Sequence, residues 1–246
     1  MTNFQHLTTE VRPDGVALLT LDRPQQRNAL SIALREEISA CLALWRDDPA
    51  VGAVVISGSG PVFCAGFDLN DFADPARFDD LFASSARYHR DLWHFPKPVI
   101  AAVNGPALGG GFDLALLCDL RLGSDSASFG HPEVKFGAPP LYSLLAAVVG
   151  AGRARELCLT GRRIDAAEAL RIGLVNEVVP GDVLLDRALA LAAGILAAPA
   201  ATLRFAKGMM NAGCGDFEAT FAVEHDRAFR EVLLPLMAER GGSRQK

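Results

Sequence analysis

The chain contains no run of 18 or more apolar residues free of a charge or glycine interruption, so no membrane span is expected. Its opening, M-T-N-F-Q-H-L-T-T-E, lacks the basic start and apolar stretch of a secretory signal, which makes the cytoplasm the expected location. The five cysteines, Cys41, Cys64, Cys118, Cys158 and Cys214, show no C-x-x-C spacing. Their odd number argues against a complete disulfide framework, and most are expected to be small buried hydrophobes. Five dispersed histidines, with no H-E-x-x-H and no Cys/His cluster, give no metal site to expect. G-x-G-x-x-G, G-x-x-x-x-G-K-[ST] and G-x-S-x-G are also missing, so dinucleotide, nucleotide and serine-hydrolase chemistries fall away. A net charge of −5 offers no basic face for nucleic acid, although local arginines suffice for an anionic cofactor tail.

What is present is length and apolar content: 246 residues, half of them hydrophobic, enough for one large α/β domain with a substantial core. The stretch 15–21 has the pattern of a strand and ends at Asp22-Arg23-Pro24. Ser31 is placed as the N-cap of a helix carrying Ile32, Leu34, Ile38, Leu42 and Trp45. Val51 to Ile56 reads as a buried strand, residues 76–95 as a helix that stops before Pro96-Lys97-Pro98, and residues 98–103 as a third apolar strand. Short strands follow around Leu120 and Phe129, then a turn at Gly137-Ala138-Pro139-Pro140 and a helix over 141–149. From Arg153 the pattern is mainly helical, interrupted by the apolar segment 174–179, and Phe217 to Glu239 has apolar residues at helical spacing. This alternation implies a core over residues 1–180 and a C-terminal helical region over 181–246 too small to stand alone.

The stretch most charged with chemistry is N-G-P-A-L-G-G-G-F-D, residues 104–113. A strand, a tight turn and a small-residue helix start leave backbone N–H groups uncovered beside the Asp113 carboxylate. Such amides stabilise an oxygen that turns negative during a reaction while a nearby acid moves protons. A glycine triplet taken alone more often serves close backbone packing, Asp113 taken alone is an ordinary helix-start carboxylate, and Glu133 an ordinary solvated residue beside a proline.

The ordered segments P-V-F-C-A-G-F-D-L, K-P-V-I-A-A-V-N-G-x-x-L-G-G-G, F-G-H-P-E-V and C-L-T-G-R-R-I-D-A-A-E-A-L-R-I-G-L-V-N-E-V-V turn that balance around. Together they resemble the enoyl-CoA hydratase/isomerase, or crotonase, superfamily from about Pro24 to Pro180. The resemblance implies the α/β crotonase (ClpP-like) spiral of ββα units with a C-terminal helical region used in trimers or hexamers. It implies an oxyanion hole from the N–H groups of Phe67 and Gly110, and acid–base chemistry at Asp113 and Glu133. It further implies a coenzyme A cradle at Arg27, Ala65, Gly66, Asp68 and Leu69, with coenzyme A present as part of the thioester substrate rather than as a bound cofactor. The activity it implies first is hydration of a 2-enoyl-CoA. The alternative is enoyl-CoA isomerisation, and a protein that binds acyl-CoA without catalysis is the alternative of another class.

Three departures from the family pattern stand out. Asp113 occupies a position where well-known hydratases mostly carry glutamate, one methylene longer. His131 replaces a glutamine or other neutral residue and is expected to hydrogen-bond to backbone rather than act on Glu133. At the C-terminus, Leu233-Leu234-Pro235-Leu236-Met237 replaces an acidic-glycine stretch, so the terminal helix is expected to be shortened and the acyl site more open. The segment 137–143 is expected to shape the acyl pocket. No aspartate lies between Glu133 and Gly150, which argues against a dienoyl isomerase of this family.

Overall fold

The structure, a computed structural model, describes residues 4–243. Its main sheet has six strands in the order β1 (Leu7–Val11), β2 (Val16–Leu21), β3 (Ala53–Gly58), β4 (Val99–Val103), β6 (Leu120–Ser124) and β9 (Glu177–Val179). β1 is antiparallel to β2, and the remaining neighbours are parallel. A second sheet of three short strands joins β5 (Pro106–Leu108), β7 (Ser128–Gly130) and β8 (Ile164–Asp165).

Strands β3 and β4 read as unbroken apolar runs because both faces of the sheet are covered. Successive side chains point to opposite faces. Val54, Ile56, Val99, Ala101 and Val103 therefore join Leu34, Ile38 and Leu42 of α1 (Ile32–Arg46) in one cluster. Ala53, Val55, Ile100 and Ala102 meet Leu184, Ala188, Leu189 and Ala192 of α7 (Leu184–Ile195) in another. Full burial of each leucine contributes roughly 1.5–3 kcal/mol. α7, the first helix of the C-terminal region, is thus part of the sheet's own core.

Local signals set the helix boundaries. The Ser31 Oγ accepts a hydrogen bond from Leu34 N at 3.2 Å, as its placement as N-cap requires. α2 (Phe78–Trp93) is entered through a 3₁₀ turn capped by Asp74 and ends before the Pro96-Lys97-Pro98 break. α3 (Gly110–Leu116), α4 (Tyr142–Val149), α5 (Ala151–Thr160) and α6 (Ala166–Arg171) follow. Pro199 separates α7 from α8 (Ala200–Gly213).

Two elements differ from expectation. β1 carries one buried residue, Leu7, followed by four exposed ones, so this edge strand has no apolar alternation for a sequence pattern to detect. The terminal helix is continuous but not regular: α9 (Phe217–Phe221) passes through π-helical stretches at 222–227 and 229–233 before α10 (Leu234–Ser243). Pro235 has no N–H to continue the regular ladder, and the wider turns end at Leu233, two positions before it. Among the described residues no single helix is long and apolar enough to cross a membrane. Four of the cysteines are buried and Cys214 is exposed; all five are free thiols.

Candidate active site

Two backbone segments are held side by side. Cys64 N donates to Pro106 O at 3.1 Å and Leu108 N to Cys64 O at 3.0 Å, which lays the 64–69 loop along β5. Leu30 then brackets Phe67, donating to Gly66 O at 2.8 Å and accepting from Asp68 N at 3.3 Å. In an extended segment alternate amides point opposite ways. Both flanking groups are used, and the Phe67 N–H between them has no acceptor among the described residues. The same holds for the N–H of Gly110, the first residue of α3. Only glycine permits this approach at Gly66: its φ is +96°, and a Cβ there would lie 2.8 Å from Leu108 O and 3.5 Å from Gly110 N.

Buried side chains stiffen both segments. Arg35, fully buried, donates to Leu30 O at 2.6 Å and to Ser84 Oγ, and lies 4.8 Å over the Phe67 ring. Burial lowers its pKa to about 10, which still leaves the guanidinium charged at neutral pH. At the other end of α3, Arg121 donates to Cys118 O at 2.7 Å and Ala115 O at 3.4 Å, so carbonyls at the helix terminus are satisfied.

The two sequence-placed carboxyls and His131 meet at one point. Asp113 lies in the first turn of α3, and Glu133 lies in a 3₁₀ turn at Pro132–Phe136 that follows β7. His131 Nε2 lies 2.9 Å from Asp113 Oδ1, with the ring fully enclosed and packed 4.7 Å from Phe112. The expectation of a backbone partner for His131 is therefore corrected. The chain turns the ring towards α3, and the shorter aspartate leaves room for an imidazole beside its carboxylate. Burial disfavours a charged ring, but Asp113 and its hydrogen bond outweigh that penalty and raise the His131 pKa.

Glu133 is placed differently. A Cβ on Gly109 would lie 3.1 Å from its Oε2, an atom that is buried and has no hydrogen-bond partner. Burial pushes the Glu133 pKa up to about 7, with Asp113 adding to the rise and His131 opposing it. The ligand atoms of Asp113, His131 and Glu133 lie within 4.8 Å of one another, a grouping compact enough for a cation that sequence spacing does not reveal. The Nε2 to Oδ1 hydrogen bond already engages two of the three.

These groups open on a cavity of about 740 Å³, which Ala65, Gly66, Phe67 and Leu69 line together with Gly110, Asp113 and Glu133. Ala138, Pro139 and Leu141 form part of its wall, as expected for the 137–143 segment. The expectation of a more open site is overturned: Phe229, Leu233, Leu236 and Met237 of the C-terminal helix line the same cavity. The apolar replacement at 233–237 supplies the covering side chains.

Not every residue of the implied coenzyme A cradle faces this cavity. Asp68 is 8 % exposed and accepts from Arg23 at 3.0 Å and from Asn70 N at 3.1 Å, the turn-holding work common for aspartate. Arg27 is exposed, in the left-handed region at φ 53°, and its carbonyl accepts from Ala65 N at 3.0 Å. Sequence reasoning missed the fully buried Asn28, whose side chain ties Arg23 N, Ser59 O and Val62 O together. It also missed His225, which faces the cavity and lies 2.7 Å from Ser85 Oγ.

Comparison with known proteins finds relatives along most of the chain. Residues 11–233 match the family model described as enoyl-CoA hydratase/isomerase. A protein of Mycobacterium bovis named a probable enoyl-CoA hydratase is 41% identical over 203 residues, covering 81% of this chain and 79% of its own length. A crotonyl-CoA hydratase of Syntrophomonas wolfei is 38% identical over 224 residues, 87% of this chain and 85% of the relative. The crystal structure of an enoyl-CoA hydratase from Mycobacterium avium subsp. paratuberculosis superimposes with a TM-score of 0.86 at 31% identity, covering 98% of this chain and all of the other.

Proposed function

This chain belongs to the enoyl-CoA hydratase/isomerase family and has its crotonase fold, and from that premise we propose that it is a 2-enoyl-CoA hydratase acting through the site just described. The observation that carries the proposal is the pair of unsatisfied amides, Phe67 and Gly110, beside two carboxyls in one covered cavity. The thioester oxygen accepts from both amides. Water adds to C3, the electrons of the double bond pass to an enolate, one carboxylate takes the proton lost by water, and the other acid protonates C2. Water and enoyl thioester are consumed in equal number, and no external oxidant or cofactor is called for.

The acyl group occupies the apolar part of the cavity, where Phe67, Phe72 and Phe229 supply aromatic surface. The coenzyme A portion leaves along the 64–69 loop past the exposed Arg27, a charge-assisted partner for a phosphate. Copies of the chain associate through apolar side chains left outside, such as Phe205, Met209 and Met210 on α8, and light scattering of the purified protein gives the assembly's mass.

Isomerisation is the second reading. The observation that favours it is the engagement of Asp113 by His131, which leaves Glu133 as the uncommitted carboxyl. Incubation with 2-enoyl, 3-enoyl and dienoyl thioesters, followed by mass spectrometry, separates the two. Gain of one water supports hydration, and a moved double bond at unchanged mass supports isomerisation and refutes the first choice. Acyl-CoA binding without any conversion refutes both.

A further inference from the structure

The two internal departures from the family's usual residues, Asp113 and His131, touch each other. His131 meets Asp113 from α3 and stands beside Glu133 of its own turn and the Cys158 thiol of α5, while its Nδ1 is buried without a hydrogen-bond partner among the described residues. Lys135, on the same turn, is exposed. Around Asp113 stand Tyr88 and His89 of α2 and Cys64 of the loop, none of which brings a positive charge at neutral pH. Arg35 is committed to Leu30 O and Ser84. Two carboxyls in an enclosed cavity cannot both be ionised without a counter-charge. The enclosed His131 ring is within hydrogen-bond distance of Asp113 and within 4.8 Å of a Glu133 oxygen, the place for that counter-charge.

We propose that His131 is a positioning residue that serves as a fixed buried positive charge, so that one, and only one, of Asp113 and Glu133 is ionised before the reaction and again after it, the enolate carrying the single negative charge in between. This deepens the hydratase reading and rests on it. Before reaction the charges are imidazolium, Asp113 carboxylate and Glu133 carboxylic acid, which sum to zero. Asp113 then takes a proton from water as the oxygen bonds to C3, and Glu133 gives its proton to C2. Afterwards the charges are imidazolium, Asp113 carboxylic acid and Glu133 carboxylate, again zero. Exchange with solvent after product release returns the proton to Glu133. The acid and base roles follow from the structure: Asp113 is hydrogen-bonded to the ring, whereas Glu133 Oε2 has no partner.

The test has two arms on the full-length protein. In the first, ¹⁵N spectra of the imidazole are recorded from pH 5 to 9 without any substitution. Protons on both His131 nitrogens at pH 7.5 are expected, and a neutral ring at that pH overturns the proposal. In the second, kcat/KM for hydration of 2-butenoyl-CoA is followed against pH for the unmodified chain and His131→Gln, which keeps a donor for Asp113 but removes the charge. The alkaline limb is expected to move upward by at least one pH unit, with kcat reduced tenfold or more and KM changed less than threefold. A uniform loss of kcat with an unmoved limb marks a merely structural histidine and overturns the proposal. If the unmodified chain hydrates no enoyl thioester, the hydratase reading fails while the spectra still decide whether the ring is a cation.

Discussion

Replacing Gly66 by alanine tests the oxyanion geometry without touching a titratable group. At φ +96° the new Cβ would stand 2.8 Å from the Leu108 carbonyl oxygen, which belongs to the backbone of β5 and cannot swing aside. Restoring ordinary contact requires the 64–69 loop to retreat by about half an ångström, which carries the Phe67 amide with it. Outright loss of one oxyanion donor costs roughly a hundredfold in rate, or about 3 kcal/mol of transition-state stabilisation, and a displaced amide loses a share of that. The backbone strain itself destabilises the fold by roughly 1–3 kcal/mol. The control is Gly150→Ala, at φ +80° with nothing within 4 Å of its Cβ. Both substitutions are expected to lower the melting temperature by several degrees, a few degrees per kcal/mol for a chain of this size, but only Gly66→Ala loses kcat. The measurement is steady-state hydration of 2-butenoyl-CoA alongside thermal unfolding. If Gly66→Ala retains kcat within threefold while binding acyl-CoA normally, the Phe67 amide does not carry negative charge in the transition state.

Glu133→Gln is expected to lower kcat by roughly 10²–10⁴ while acyl-CoA binding, followed by calorimetry, persists. The same variant should be more stable than the unmodified chain at pH 9. Burial raises the native Glu133 pKa to about 7 from 4.5, so the native state binds more protons than the unfolded chain between those values, and stability falls as pH rises through that window by up to about 3 kcal/mol. Glutamine removes that loss, and equal unfolding midpoints at pH 9 would count against the burial argument. For the unmodified enzyme kcat/KM should decline above about pH 7, because the proton donor to C2 must be protonated; a profile that is flat to pH 9 contradicts the role of Glu133 as acid. Finally, Arg90 ties α2 to the C-terminal cover through Glu218 at 2.8 Å and Asp226 at 3.1 Å. These pairs are partly exposed and each is worth roughly 0–1 kcal/mol. Arg90→Ala is therefore expected to speed proteolytic cleavage within 217–243 and to change the melting temperature by only a few degrees.

The strands, the first helices and the glycine loops were legible because each depends on short-range pattern. Apolar runs at 98–103, a serine before Ile32 and a proline after Phe95 announce their elements locally. The site was legible where a motif names its residues, and the structure brings Phe67, Gly110, Asp113 and Glu133 to one cavity. The partner of His131 was not, since it lies 18 positions away and its choice depends on how β7 is set against α3. Nor was the direction of the C-terminal helix. The spacing of Phe217, Phe221 and Phe229 declares an apolar face, but the surface that receives it is α2 and the cavity rim, which local pattern does not encode. Edge strand β1, with its exposed residues, carried no apolar signal at all.

The C-terminal cover and the chemistry of the carboxyls depend on each other. Glu133 owes its raised pKa first to burial, and Phe229, Leu233, Leu236 and Met237 line the same cavity. A displaced cover would admit water, restore solvation to the carboxyl and lower its pKa towards 4.5, which leaves it ionised and unable to protonate C2 at neutral pH. The helix therefore does more than shape an acyl pocket. In the mechanism proposed above its closure would keep the proton on Glu133, and its ring column of Phe217, Phe221, His225 and Phe229 packs it against α2. Substitutions in the ring column, remote from both carboxyls, should accordingly lower the alkaline limb of the pH profile before they change the affinity for acyl-CoA, a shift that pure loss of acyl contacts does not produce.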